Sequence, residues 1–177
     1  MKPPEIIETP RLILRPPTLN DAEIIFNKYT QDPEVTRYLV WPPHESIEMT
    51  KEFLGRCLRC WDDETAFPWM MTLKGDNTIL GMVEMRISGF NADFGYAIAT
   101  EYWNNGYTTE AVKALVQWAI DQESIYRVWA VCDLKNIGSV KVLEKAGLQR
   151  EGILRRYSLH PGVSDEPRDC YCYSIVK

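Results

Sequence analysis

The segment Tyr102-Trp103-Asn104-Asn105-Gly106-Tyr107-Thr108-Thr109-Glu110-Ala111 most narrows what this chain can fold into, because it reads as a strand exit, a tight turn and a helix start in direct succession. A strand that passes straight into a helix belongs to a layered α/β architecture. Asn104, Asn105 and Gly106 suit the turn, since Gly takes positive φ freely and Asn tolerates it better than most residues. A helix N-terminus carries unpaired N–H groups and a partial positive charge, so a turn that gathers further amides there makes a seat for an anion. Two readings stand at this point: a pyrophosphate cradle, or a turn that only joins two elements.

The rest of the chain supplies elements on either side. Arg11 to Arg15, bracketed by Pro10 and Pro16, reads as a strand. Thr18 to Asp21 starts a helix with Ala22, Ile25, Phe26 and Tyr29 on one face, ended by Asp32-Pro33. A short piece, Glu34 to Leu39, leads to Ser46, the N-cap of a second helix whose buried side is Phe53, Leu54, Cys57, Leu58 and Trp61. Strands are expected over Phe67–Leu73, Thr78–Ile87 and Asp93–Ala99, with Gly75-Asp76-Asn77 as a hairpin turn. The third helix runs from about Thr109 to Glu123, with Ala111, Ala114, Leu115, Trp118 and Ala119 inward and Glu110, Lys113, Gln117 and Asp121 outward. Arg127 to Cys132 is apolar on both faces, as a covered central strand is. A fourth helix, about Ile137 to Ala146, stops at Gly147, and strands over Leu148–Leu159 and Asp169–Val176 close the chain. This order predicts a mixed sheet of about seven strands flanked by four helices on both faces, in one domain over residues 1–177.

Composition bears on partners. The net charge of −5 argues against direct nucleic-acid binding, which rests on clustered Lys and Arg. No apolar run reaches membrane-spanning length and the opening residues lack the core of a secretory leader, so no membrane association and a cytoplasmic location are expected. Cys57 with Cys60, and Cys170 with Cys172, each share a face, but their spacing differs from the usual zinc knuckles. Small buried thiols and no metal are expected. Pairing between subunits through the final strands, with Cys170, Tyr171 and Tyr173, is one route to a homodimer.

Trp103-Asn104-Asn105-Gly106-Tyr107-Thr108 resembles the acetyl-CoA signature of GCN5-related N-acetyltransferases (GNAT), and Tyr-Trp-x-x-Gly-Tyr-x-Thr-Glu-Ala looks like the version in the RimJ/RimL-like branch that acetylates ribosomal-protein N-termini. Thr9 to Arg15 looks like the opening of that branch, and Asn136 to Ser139 with Leu143 to Leu148 and Glu151-Gly152 like its second cofactor segment. The likeness covers nearly the whole chain. It implies the acyl-CoA N-acyltransferase fold, with a mostly antiparallel sheet splayed in the middle and acetyl-CoA as cosubstrate in the split. It further implies that backbone groups of Tyr96, Ala97, Ile98 and Ala99 pair with the pantetheine arm, that amides of Asn104 to Thr108 hold the pyrophosphate, and that Asn136 and Ser139 form the other wall. Local capping is the competing reading of Asn136 and Ser139. Thr108, where Gly or Ala is usual, places a branched side chain close to the phosphates.

Aminolysis of a thioester needs a neutral amine and a proton for the departing thiolate. Many family members supply that proton from a helix Tyr, but the matching position is Leu143, which leaves Ser139. The branch's strand Glu aligns with Ser158, so Glu84, Asp93 and His160 are the substitute bases. Trp41, Trp61 and Trp69 are candidates for the acceptor mouth, though large aromatics are first of all core material. The acceptor reads as a peptide or protein N-terminus or a small amine. The competing class is an acyl-CoA-binding sensor or interaction module without catalysis.

Overall fold

The computed structural model describes residues 1–177. Its centre is an eight-stranded sheet: β1 (Ile7–Glu8), β2 (Leu12–Arg15), β3 (Phe67–Leu73), β4 (Ile79–Ser88), β5 (Asn91–Ile98), β6 (Arg127–Asp133), β7 (Gln149–Ser158) and β8 (Arg168–Val176), in the spatial order β1-β2-β3-β4-β5-β6-β8-β7. Only β5 and β6 run parallel; every other neighbour is antiparallel. The strand beyond the seven expected is β1, too short to show a pattern in sequence. β8 lies between β6 and β7 with both edges hydrogen-bonded, so it has no free edge for a strand of a second subunit; the sheet's edges are β1 and β7.

Five helices cover the sheet: α1 (Ala22–Ile25), α2 (Pro33–Thr36), α3 (Ile47–Asp62), α4 (Tyr107–Asp121) and α5 (Ile137–Lys145). The helix expected from Thr18 to Asp32 is broken up, with a 3-10 turn before α1 and a π turn, Phe26–Thr30, after it. Its start is as read, since Asp21 accepts from the Thr18 amide at 2.7 Å and is clamped by Arg15 at 2.7 and 2.9 Å. Its end is set by tertiary bonds: the Thr30 carbonyl accepts from the His44 amide at 2.8 Å, and Thr30 and Thr50 hydroxyls meet at 3.2 Å. Asp32 then caps α2, with Pro33 at its first position. α4 begins two residues before the expected start and buries Ala111, Val112, Leu115, Val116 and Ala119, so its inner stripe is rotated toward the two valines.

Two cores result. α4 and α5 close a large one against Leu12, Leu14, Trp69, Met85, Phe94, Val128 and Tyr173, while α1 to α3 close a smaller one around Ile25, Tyr29, Leu54, Met70 and Met82. Each strand of the central pair is held firmly on its outer side and weakly on its inner side. β4 and β5 share eight register pairs and β6 and β8 seven, but β5 and β6 only three, Asn91–Asp93 with Arg127–Trp129. Past Asp93 the two strands part, and the sheet has a wedge at its middle.

β4 comes close to β5 at the wedge through Gly81. A Cβ there would stand 2.2 Å from the Ala97 carbonyl oxygen. Gly81→Ala must therefore push backbone apart, an overpacking cost of about 3 kcal/mol. The expected fall in Tm, read by thermal denaturation, is about 6–12 °C for a chain of this size.

Candidate functional site

At the wedge, pleat parity decides which backbone groups are free. The Ala99 amide donates to Leu80 at 2.9 Å and the Ala97 carbonyl faces Gly81, so these residues spend their polar groups on β4. Alternation aims those of Tyr96 and Ile98 the other way, into the wedge, where β6 has gone. This corrects the expectation that all of Tyr96 to Ala99 line the site. Tyr96 and Ile98 border the cavity, and Ala97 and Ala99 do not. The Ile98 carbonyl takes a bond from the Trp103 indole at 2.9 Å, which folds the strand exit back on itself.

That exit leads into the turn. Asn104 has φ +62° and Gly106 φ +79°, ψ 4°, both left-handed, as an Asn-Asn-Gly turn allows. No side chain caps α4, and the first amide of the helix to find a carbonyl is that of Glu110, bonded to Gly106 at 3.0 Å. The amides before it point out of the helix end into the cavity that Asn104 to Thr109 border. Thr108 is 7% exposed, buried beside exposed Asn104, Asn105 and Gly106.

The turn is braced from behind by the start of β2. Glu110 accepts from the Thr9 hydroxyl at 2.6 Å, the Arg11 amide at 2.8 Å and the Arg11 Nε at 2.7 Å. The same guanidinium donates to the Asn105 carbonyl at 3.0 Å and lies over the Tyr107 ring, 4.4 Å from its centroid. Burial opposes the charge on Glu110, but the bonds from Thr9 and Arg11 outweigh it and hold the carboxyl below its ordinary range. Two sequence motifs are thus one hydrogen-bonded cluster, a link that spacing along the chain does not reveal.

Across the wedge, α5 starts at Asn136, whose Oδ1 accepts from the Ser139 amide at 3.1 Å. Local capping is therefore what the Asn136 oxygen does. Ser139 is different: its Oγ lies 2.7 Å from the Tyr96 hydroxyl, which reaches over from β5. Leu143 is fully buried in the main core. The cavity, about 720 Å³, runs from the turn past Ser139 to α2. Its wall carries Arg37, Lys135, Lys141 and Lys145 against the single carboxylate of Glu34, although the whole chain has a net charge of −5. These cations went unread in the sequence; the i, i+4 pair Lys141 and Lys145 on α5 was the available signal.

The expected proton carriers divide. Glu84 and Asp93 meet on the sheet face opposite α4 and α5, bridged by Arg86, whose Nε donates to Asp93 at 2.8 Å and whose Nη1 contacts Glu84. Glu84 stands beside Gly95 and Asp93 at the last pair before the wedge opens, so both are close to the split. His160 is apart from them, 5% exposed, with Nε2 3.8 Å from the Cys170 sulfur. Among the acceptor candidates, Trp61 and Trp69 are corrected to core residues: they pack edge to face at 5.2 Å, with their indoles bonded to the Pro68 carbonyl and to the Pro4 and Glu5 carbonyls. Trp41 is half-buried against His44 and Phe53, outside the cavity wall.

Known proteins resemble this chain in sequence and fold. The family model described as an acetyltransferase (GNAT) domain matches residues 11–149. The N-acetyltransferase YoaA of Bacillus subtilis is 33% identical over 180 residues, covering 97% of each chain. The crystal structure of a GNAT-family acetyltransferase from Bacillus anthracis superposes with a TM-score of 0.84 at 25% identity, over 97% of this chain and 98% of that one. The ribosomal L7/L12 α-N-protein acetyltransferase RimL, in complex with coenzyme A, shares the fold with a TM-score of 0.85 at 18% identity, over 97% and 98%.

Removing the brace tests what holds the turn. In Arg11→Ala, hydrogen exchange of the Glu110 amide, bonded to the Gly106 carbonyl, is expected to quicken at least about tenfold, for the roughly 1.5–3 kcal/mol of charge-assisted bonds lost. Amides in the middle of α4 should keep their protection.

Proposed function

The chain belongs to the GNAT acetyltransferase family and is an acetyl-CoA-dependent N-acyltransferase, and on that premise we propose that its acceptor is a free α-amine, of a peptide or protein N-terminus or of a small molecule, which attacks the thioester directly in a ternary complex. The observation that carries this reading is the state of the three candidate bases: Glu84 and Asp93 are tied to Arg86, and His160 is buried off the cavity wall. A carboxylate whose oxygens already accept from a guanidinium has fewer free lone pairs to offer an incoming ammonium. The acceptor must then arrive close to neutral by itself. At pH 7 a Lys ammonium of pKa ~10.4 costs about 4.6 kcal/mol to deprotonate, and an α-amine near 8 about 1.4.

The cosubstrate's place follows from the chain's own groups. Amides of Asn104 to Thr109 at the head of α4 suit a pyrophosphate, and Lys141 and Lys145 on α5 are placed to add charge to the same anion. The free N–H and C=O groups of Tyr96 and the free N–H of Ile98 suit a pantetheine arm laid along β5 as an added strand, with the Ile98 amide polarising the acyl carbonyl. Ser139 stands at the sulfur end. The amine enters from the side where Glu34 to Leu39 line the cavity and where Gly162, in the β7–β8 loop, packs onto the Arg37 backbone. Its proton leaves to water near Glu84 and Asp93.

Gly106→Val is expected to abolish acetyl-CoA binding in calorimetry, because a branched residue is strained at φ +79° and crowds the seat. Peptides with a free N-terminus should be acetylated on the order of a hundredfold faster at pH 7 than Nα-blocked Lys peptides. Their rates should climb with pH and level off near 8. Turnover confined to internal Lys would overturn the acceptor assignment.

A further inference from the structure

α5 offers no tyrosine to the departing sulfur, since Leu143 is sealed in the core. Two of the hydroxyls on residues that border the cavity touch across the wedge: Tyr96 Oη lies 2.7 Å from Ser139 Oγ. They come from opposite sides of the split, β5 and the first turn of α5, and theirs is a side-chain bond across the gap. Parity puts the Tyr96 side chain on the α4 and α5 face, where its ring stacks on Phe94 with centroids 6.4 Å apart and planes at 26°. The ring is thereby fixed, and its hydroxyl with it.

We infer that Tyr96 is a positioning residue for catalysis: by donating its proton to Ser139 Oγ, it obliges the Ser139 hydroxyl to direct its own hydrogen into the cavity, toward the leaving sulfur. This rests on the acetyl-transfer reading above. Either hydroxyl could serve as donor in the pair, and two facts select Tyr96. A phenol is the stronger acid and hence the better donor. Burial also raises the hold of Tyr96 on its proton, so it stays a neutral O–H throughout the working range. Tyr96 Oη also lies 3.5 Å from the Ser139 carbonyl, a much longer contact than the 2.7 Å to Oγ, so Oγ is the acceptor the geometry favours; Ser139 then accepts one bond and places its hydrogen elsewhere. Its amide is already spent on Asn136 Oδ1, and Ser139 borders the cavity.

The chemistry balances without proton loss by either hydroxyl. The amine nitrogen bonds to the acyl carbon, the C–S bond breaks, and its electron pair stays on sulfur. The ammonium so formed releases a proton to water, and the thiolate takes one from water afterwards. In the interval the Ser139 O–H bonds the anionic sulfur, an interaction absent from the ground-state thioester, so its loss falls on kcat.

A double-mutant cycle tests this. Tyr96→Phe keeps the ring and its stacking. It is expected to lower kcat about tenfold, with KM and calorimetric Kd for acetyl-CoA within about twofold of wild type. Ser139→Ala should lose a similar factor, and the double variant should be no slower than Ser139→Ala within about twofold, because both remove one interaction. Wild-type kcat in either single variant, or losses that multiply in the double, overturns the inference while leaving the acetyl-transfer reading intact. So does a Tyr96→Phe protein with unchanged kcat but weakened acetyl-CoA binding or lowered Tm, which marks the pair as a strap across the split. A wild-type protein that binds acetyl-CoA yet releases no thiol with any amine overturns that reading, and the inference with it.

Discussion

The seam between β5 and β6 is the constraint on which the molecule turns. A parallel pair normally runs the length of its strands, but here each strand is secured by a long antiparallel partner on its far side and the shared ladder stops after three residues. The Ile98 carbonyl is taken by the Trp103 indole, but the N–H groups of Tyr96 and Ile98 and the Tyr96 carbonyl are left without strand partners in a half-buried slot. Unpaired groups of this kind cost roughly 1–3 kcal/mol each unless water or a ligand satisfies them. A ligand with amides spaced like a peptide would relieve that cost, which makes an open seam in an otherwise continuous sheet a candidate binding site.

Charge is arranged with the same economy. A chain with more carboxylates than cations places Arg37, Lys135, Lys141 and Lys145 along one cavity and adds the exposed head of α4 at its end. Net charge describes the surface as a whole and says little about a slot lined by selected side chains. The overall acidity that argues against a nucleic-acid partner is therefore compatible with tight capture of a small polyanion.

Much of this was legible in the residues. The Asn-Asn-Gly turn, the alanines on the inner face of α4 and the cap of α5 are local signals, and the structure carries each of them; β6, apolar on both faces in sequence, is instead fully buried on one face and half-buried on the other up to Val131. What the sequence hid is set by contacts between distant segments. The first helix is interrupted because Thr30 bonds to His44 and Thr50, which a helical pattern from Ala22 to Tyr29 cannot show. Trp61 and Trp69 looked eligible for an acceptor mouth until their indoles proved to be occupied by backbone carbonyls in the interior. Tyr96 was valued for its backbone alone, because its hydroxyl acquires a partner only when β5 and α5 face each other. Which of four successive residues faces the slot depended on the register with β4, a two-residue alternation that one strand cannot fix by itself.

The clasp between Arg11 and Glu110 joins residues 99 positions apart. A chain emerging from the ribosome holds β2 long before α4 exists, so the turn at the head of α4 cannot gain its brace until well over half of the polypeptide has been made. Closing so long a loop is slow, and the entropy it costs is recovered only when the clasp and the core beneath it form together. A ligand that binds only the clasped form stabilises the completed fold and none of the partial ones, so occupancy of the turn and completion of the fold are thermodynamically linked.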